Sequence, residues 1–134
     1  PWSNPNSDGS LVNDVKIGKF EMPWENKYKS WTWAMEEEGM DQVGTIYTSQ
    51  GFEFDYIGVI FSNDLVYDKK QNKWISKPEN SYDKATTRGN TELTKHLKNV
   101  YRVLMSRAHK GVYVYFMDKD TENYFKSRIE ESLN

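Results

Sequence analysis

Apolar and polar positions along the 134 residues alternate in short runs, so several brief elements are expected in place of a few long ones. From Val15 to Met22, Val15 and Ile17 alternate with polar neighbours, and the pattern resumes after Gly18 with Phe20 and Met22. That is strand periodicity, closed by Pro23. Val43–Tyr47 and Tyr56–Phe61 read as short buried strands of the parallel type, separated by TSQGFEFD, which is short for a crossover holding a full helix. Leu65-Val66-Tyr67 and Lys73-Trp74-Ile75, joined by DKKQN, predict a surface hairpin. Between Thr91 and about Ala108, Leu93, Leu97, Val100, Tyr101 and Leu104 recur on one face of a helix, with Asn90 or Thr91 placed to cap it. Gly111 is expected to break that helix, Val112–Phe116 to form a third strand, and Asp118 or Asp120 to cap a last helix striped by Phe125, Ile129 and Leu133. The stretch Trp24–Met40 fits short helix and loop equally, and its run Glu36-Glu37-Glu38 reads as a solvated face. Residues 1–14 form a polar lead-in whose first ten, PWSNPNSDGS, look exposed. Strand, loop, strand, helix, strand, helix predicts an α/β unit over 15–134, with a mainly parallel sheet flanked by helices and a β-hairpin insertion.

Composition narrows the function classes. Eighteen Lys+Arg against 20 Asp+Glu leave a formal charge of -2, so any polyanion site must be local. Cysteine is absent, which removes disulfides, thiolate nucleophiles and sulfur-bound zinc; with two histidines, no metal site is expected. No apolar run approaches the roughly 18 residues of a membrane span, so a cytoplasmic protein without membrane contact is expected. Hydrophobic residues make up 37% and aromatic residues 15% of the chain. That is a thin aliphatic core with much aromatic surface, and with Pro1 in first place it suits a piece of a larger protein.

Chemistry concentrates in two segments. No G-x-x-x-x-G-K-[ST] loop is present, so the chain does not supply the main cradle for a nucleotide's phosphates. The segment Thr45-Ile46-Tyr47-Thr48-Ser49-Gln50-Gly51-Phe52-Glu53-Phe54-Asp55 gathers hydroxyls and main-chain amides where α/β proteins bind ligands, at a strand end. Gly51 lets a backbone approach a phosphate, and Glu53 can accept hydrogen bonds from a ribose; a polar turn is the plainer reading. In the second segment, Tyr101–Gly111, the exposed side of the wheel carries Lys95, Lys98, Arg102 and Ser106, but Arg107 falls about 40° from Leu93, on the core side. An arginine aimed inward is costly unless it meets an anion, and its fork of donors suits phosphate or carboxylate. The anion can equally be internal, Glu53 or Asp55, or the side chain can turn to water at a frayed helix end. His109 and Lys110 read as a basic helix exit. Trp31, Trp33 and Trp74 are packing residues or base-stacking surfaces.

The first of these segments resembles motif V of superfamily 1 helicases of the RecD and UvrD type, T-x-H-x-S-Q/K-G-x-E-F. Leu104-Met105-Ser106-Arg107-Ala108 resembles their motif VI. Order and following strands agree, and with Ile17-Gly18-Lys19-Phe20-Glu21-Met22-Pro23-Trp24 ahead of them the chain is similar to the Schlafen group 3-like DNA/RNA helicase domain, a bacterial P-loop family. The resemblance implies the C-terminal part of a RecA-like second lobe in an ATP-dependent helicase or translocase. ATP and Mg²⁺ would belong to the parent protein, held largely by an N-terminal lobe of the same chain that carries the Walker A lysine. The fragment alone would bind neither tightly and would not catalyse. By position, the resemblance makes Arg107 the catalytic arginine finger, and makes Gln50, Gly51 and Glu53 nucleotide-binding. Thr45, Tyr47 and Thr48 become contacts to the DNA or RNA backbone, with Tyr47 standing where the family has histidine. A non-catalytic protein- or nucleic-acid-binding module on the same fold is the alternative. The letters Gly44-Thr45-Ile46-Tyr47 and Tyr56-Ile57-Gly58 also mimic a GIY-YIG nuclease, but the next arginine, Arg88, is too distant.

Overall fold

A computed structural model describes all residues 1–134, which form two compact units, Pro1–Glu53 and Phe54–Asn134. In the first, the alternation around Gly18 becomes an antiparallel hairpin, β1 (Val15–Ile17) with β2 (Phe20–Met22), registered Val15 to Met22 and Ile17 to Phe20. Gly18 makes the reversal at φ +59°, a conformation that costs a side-chain-bearing residue about 1–2 kcal/mol. Beyond Pro23 the chain runs between Ser3 and Val43. The Ser3 amide donates to Glu25 O at 2.9 Å, and the Glu25 amide donates to Val43 O at 2.9 Å. Ser3 is therefore buried, and the first ten residues are not uniformly exposed.

The ambiguous stretch Trp24–Met40 resolves into two short 3-10 helices, Ser30–Thr32 and Glu37–Asp41. Trp33 packs its ring against Gly44 so closely that a Cβ there would lie 2.6 Å from it, and its Nε1 donates to Gln42 O at 3.1 Å. Val43–Tyr47 is not a strand. Val43 makes an isolated bridge to Trp24, and Ile46–Ser49 form a one-turn helix, α1. Thr45 and Thr48 close a capping box at its start, one of the contacts that override the strand preference of the β-branched residues.

The second unit holds the one pair of parallel strands. β3 (Phe54–Phe61) pairs with β6 (Ala108–Phe116), Ile57 beside Val112 and Phe61 beside Phe116. The expected mainly parallel sheet is thus one of three two-stranded sheets. β4 (Leu65–Asp68) and β5 (Lys73–Ser76) form the expected hairpin, turned through Asn72 at φ 53°. It is less superficial than expected, because Leu65 and Val66 are buried. After a one-turn helix, α2 (Lys84–Thr87), the long amphipathic helix α3 spans Leu93–Met105. Its N-cap is Glu92, without a side-chain cap bond; Asn90 contributes instead by accepting from the Glu92 amide at 3.0 Å. Gly111 lies inside β6 and breaks nothing: the Tyr56 ring occupies the space where its Cβ would sit, 3.0 Å away. Helix α4 (Lys119–Leu133) starts at Asp118, which accepts from the Thr121 amide at 2.8 Å.

The core lies on one face of the β3–β6 pair. Val59 and Phe61 meet Leu93, Leu97 and Tyr101 of α3, with Val114, Phe116 and Phe125 packed around them. Thr121, fully buried, ties α4 to the hairpin by accepting from the Tyr67 amide at 2.9 Å. At the end of β3, Tyr101 Oη donates to Asp64 Oδ1 at 2.6 Å, and burial beside that carboxylate raises the phenol far above its ordinary range. The opposite face of the pair carries the exposed rings of Tyr56, Tyr113 and Tyr115.

Candidate functional site

In the first unit, residues 45–53 form a turn of helix followed by a sharp reversal. The Gln50 amide donates to Ile46 O at 3.2 Å and ends α1. Gly51 then adopts φ +79°, and the Phe52 amide donates to Ser49 O at 3.3 Å. A Cβ built on Gly51 meets nothing within 4 Å. The glycine is therefore required by its backbone angle, and the space above it is open to an approaching ligand. Gln50, Gly51 and Glu53 are exposed, as is Tyr47. Thr45 and Thr48 are half-buried and face inward, toward a residue the sequence reading did not single out.

That residue is Glu25. It is 4% exposed, and its Oε2 accepts from Thr48 Oγ1 at 2.6 Å and from the Thr45 amide at 3.2 Å. Burial raises its carboxyl above the ordinary carboxylate range, while the bonds from Thr48 and Thr45 pull the other way. A carboxyl raised by folding binds more protons folded than unfolded between its ordinary value and the raised one. Its contribution to stability therefore falls as pH rises through that window and levels off above it. Glu25→Gln is expected to remove this slope. The check is the difference in thermal midpoint between wild type and variant from about pH 4 to pH 7; parallel curves would overturn it.

In the second unit α3 stops at Met105, with Ser106 as its C-cap, and Arg107 lies in the turn before β6. The main chain anchors this turn: the Arg107 amide donates to Leu104 O at 3.4 Å, and its carbonyl accepts from the Phe54 amide at 2.8 Å. The side chain is half-buried, and its Nε is withdrawn from solvent without a hydrogen-bond partner. The inward aim expected from the helical wheel is present, although the exit turn produces it and not the helix. Asp55, one of the internal anions considered for Arg107, pairs with Lys110 at 2.9 Å. His109 and Lys110 belong to β6, not to a helix exit. Arg102 is exposed and reaches only Asn99 Oδ1, at 3.4 Å.

Among the tryptophans, Trp33 and Trp74 pack, the latter against Phe61, Tyr67 and Phe125, whereas Trp31 is 72% exposed. No helix is long and apolar enough to cross a membrane. The mimicry of a GIY-YIG nuclease ends at α1, since Ile46 and Tyr47 are helical. The site residues thus fall into two groups: Thr45, Tyr47, Thr48, Gln50, Gly51 and Glu53 in the first unit, Arg107 in the second. Glu25 was illegible because its partners lie 20 and 23 residues away, with no spacing rule linking them.

Comparison with known proteins places these segments in a family. The chain is 33% identical over 95 residues to the uncharacterized protein YPL245W of Saccharomyces cerevisiae, so the likeness reaches a eukaryote. The match covers 66% of this chain and 21% of that relative, so the chain spans about a fifth of the relative's length. No solved structure matches. The family model for the Schlafen group 3 DNA/RNA helicase domain matches residues 1–118, a range that includes the Gln50–Gly51 reversal and the Arg107 turn, and the chain belongs to that family.

Proposed function

We propose that this chain is the C-terminal portion of a RecA-like second lobe in a helicase-type P-loop ATPase of superfamily 1, acting on DNA or RNA. One observation carries the reading. Arg107 keeps a buried donor nitrogen with no partner, and leaving such a group unpaired costs about 1–3 kcal/mol or more. An incoming phosphate offsets that cost, because a guanidinium grips phosphate with two parallel charge-assisted bonds.

In this reading ATP and Mg²⁺ are held by a Walker A-bearing lobe elsewhere in the full-length protein. Arg107 stabilises the charge that develops on the transferring phosphoryl group. Gln50 and Gly51 present their main chain to the γ-phosphate and Glu53 accepts from the ribose. Tyr47 faces the nucleic-acid backbone, while Thr45 and Thr48 are turned inward to Glu25.

The test is ATP hydrolysis by the full-length protein, with Gly51→Val as the local probe. At φ +79° a β-branched residue is strained, and its side chain fills the open space that a phosphate needs. The expected result is a KM for ATP raised by about tenfold or more, because each 1.4 kcal/mol of lost contact is one factor of ten. Unchanged kinetics would remove Gly51 from the site. Absence of both ATP binding and hydrolysis in the wild-type protein would leave a non-catalytic binding module in its place.

A further inference from the structure

The four residues of α1 are too few to hold a helix by themselves, so something outside the helix must set its direction. The main chain around Glu25 is fixed on both sides. Its amide donates to Val43 O and its carbonyl accepts from the Ser3 amide, each at 2.9 Å; the Val43 amide returns to Pro23 O at 2.9 Å and the Lys27 amide to Ser3 O at 3.0 Å. From this mount the carboxylate reaches Thr48 Oγ1 at 2.6 Å and the Thr45 amide at 3.2 Å. Thr48 Oγ1 also accepts from the Thr45 amide at 2.9 Å. One buried anion thus takes two donors, the Thr45 amide and the Thr48 hydroxyl, at the start of the turn whose other end is Gln50 and Gly51.

We infer that Glu25 is a positioning residue for the Gln50–Glu53 segment, and that the Thr45 amide and Thr48 hydroxyl are committed to it and not to a nucleic-acid phosphate. This rests on the proposed role of Gln50, Gly51 and Glu53 in holding the nucleotide. A phosphate that took the same two donors would have to displace a buried carboxylate and leave it unpaired, the costliest exchange available at this position. Backbone contact with DNA or RNA in this stretch then falls to Tyr47, whose ring is exposed. Glu25 acts through the turn and touches no substrate.

The experiment uses the full-length protein with Glu25→Ala, Glu25→Gln and Thr48→Val. Amide hydrogen exchange is read over residues 48–52, and KM and kcat are read for ATP. Glu25→Ala and Thr48→Val are each expected to speed exchange of the Ser49 and Gln50 amides by about tenfold or more, the scale of a hydrogen bond to a charged group. KM for ATP is expected to rise by a similar factor, with a smaller change in kcat. The double variant is expected to fall short of the product of the two single effects, since the Glu25–Thr48 bond is lost in both while each also loses its own bond from the Thr45 amide. Glu25→Gln should restore slow exchange and low KM, because its amide oxygen accepts the same two bonds; a merely space-filling role would not single out the acceptor.

Unchanged exchange in Thr48→Val, which keeps the side-chain volume and is expected to fold, would overturn the inference. So would weaker binding of single-stranded oligonucleotide by Thr48→Val without any change in exchange. If the wild-type protein neither binds nor hydrolyses ATP while exchange responds as expected, the nucleotide reading fails and the positioning of the turn by Glu25 stands.

Discussion

Arg107→Ala in the full-length protein is expected to lower ATP turnover by about 10³-fold or more, roughly 4 kcal/mol of lost transition-state stabilisation. The size follows from what the arginine is proposed to meet. Charge spreads over the phosphoryl oxygens only as the bond breaks, so a preorganised cation contributes mostly at the transition state. The loss should therefore appear in kcat more than in KM. Arg107→Lys should recover little, because an ammonium lacks the planar fork of donors. Folding should not suffer: the Nε forms no bond that truncation would break, while the main-chain bonds to Leu104 and Phe54 remain. The measurement is steady-state ATP hydrolysis beside the thermal midpoint of the same preparations. A fall of less than tenfold with the fold intact would remove Arg107 from the catalytic role.

Phe61→Ala is expected to be the most damaging core truncation, costing about 3–5 kcal/mol of unfolding free energy. Phe61 is 2% exposed and stacks on Tyr101 with ring centroids 3.9 Å apart. It also tilts against Phe116 at 5.4 Å and meets Phe125 edge-on at 5.5 Å. Truncation thus opens a cavity where β3, α3, β6 and α4 converge, and it forfeits aromatic pairs worth about 0.5–1.5 kcal/mol each beyond their buried area. Since domains hold only about 5–15 kcal/mol in total, such a loss brings unfolding within reach of mild denaturant. Urea unfolding followed by tryptophan fluorescence reads it through Trp74, which packs on Phe61. A change below about 1 kcal/mol would mean that this aromatic cluster is not the core.

Much of the second unit was legible because its elements announce themselves over a few residues. The run Tyr56–Phe61 and the helical stripe from Leu93 to Leu104 appear where periodicity puts them, with ends shifted by a few residues. The Asp118 cap appears as expected. Where the reading went astray, a contact distant in sequence decided. Val43–Tyr47 has strand composition, yet Thr45 and Thr48 fold it into a turn of helix against Glu25. Gly111 resembles a helix stop, yet the facing Tyr56 ring makes it a strand glycine. A single parallel pairing replaced the wider sheet because strand count depends on which runs find partners, and composition does not carry that information.

For the candidate site the division is similar. The reversal at Gly51 could be read from residue type, since a glycine's freedom is a property of the residue itself, whereas the helical spacing used for Arg107 does not apply, because α3 ends at Met105. What only the tertiary structure decided is which groups are already satisfied. It paired Asp55 with Lys110, gave Thr45 and Thr48 to Glu25, and left the Arg107 Nε without a partner. Hydrogen bonds and ion pairs act over a few ångströms of space irrespective of distance along the chain, so folding settles which donors remain for a ligand.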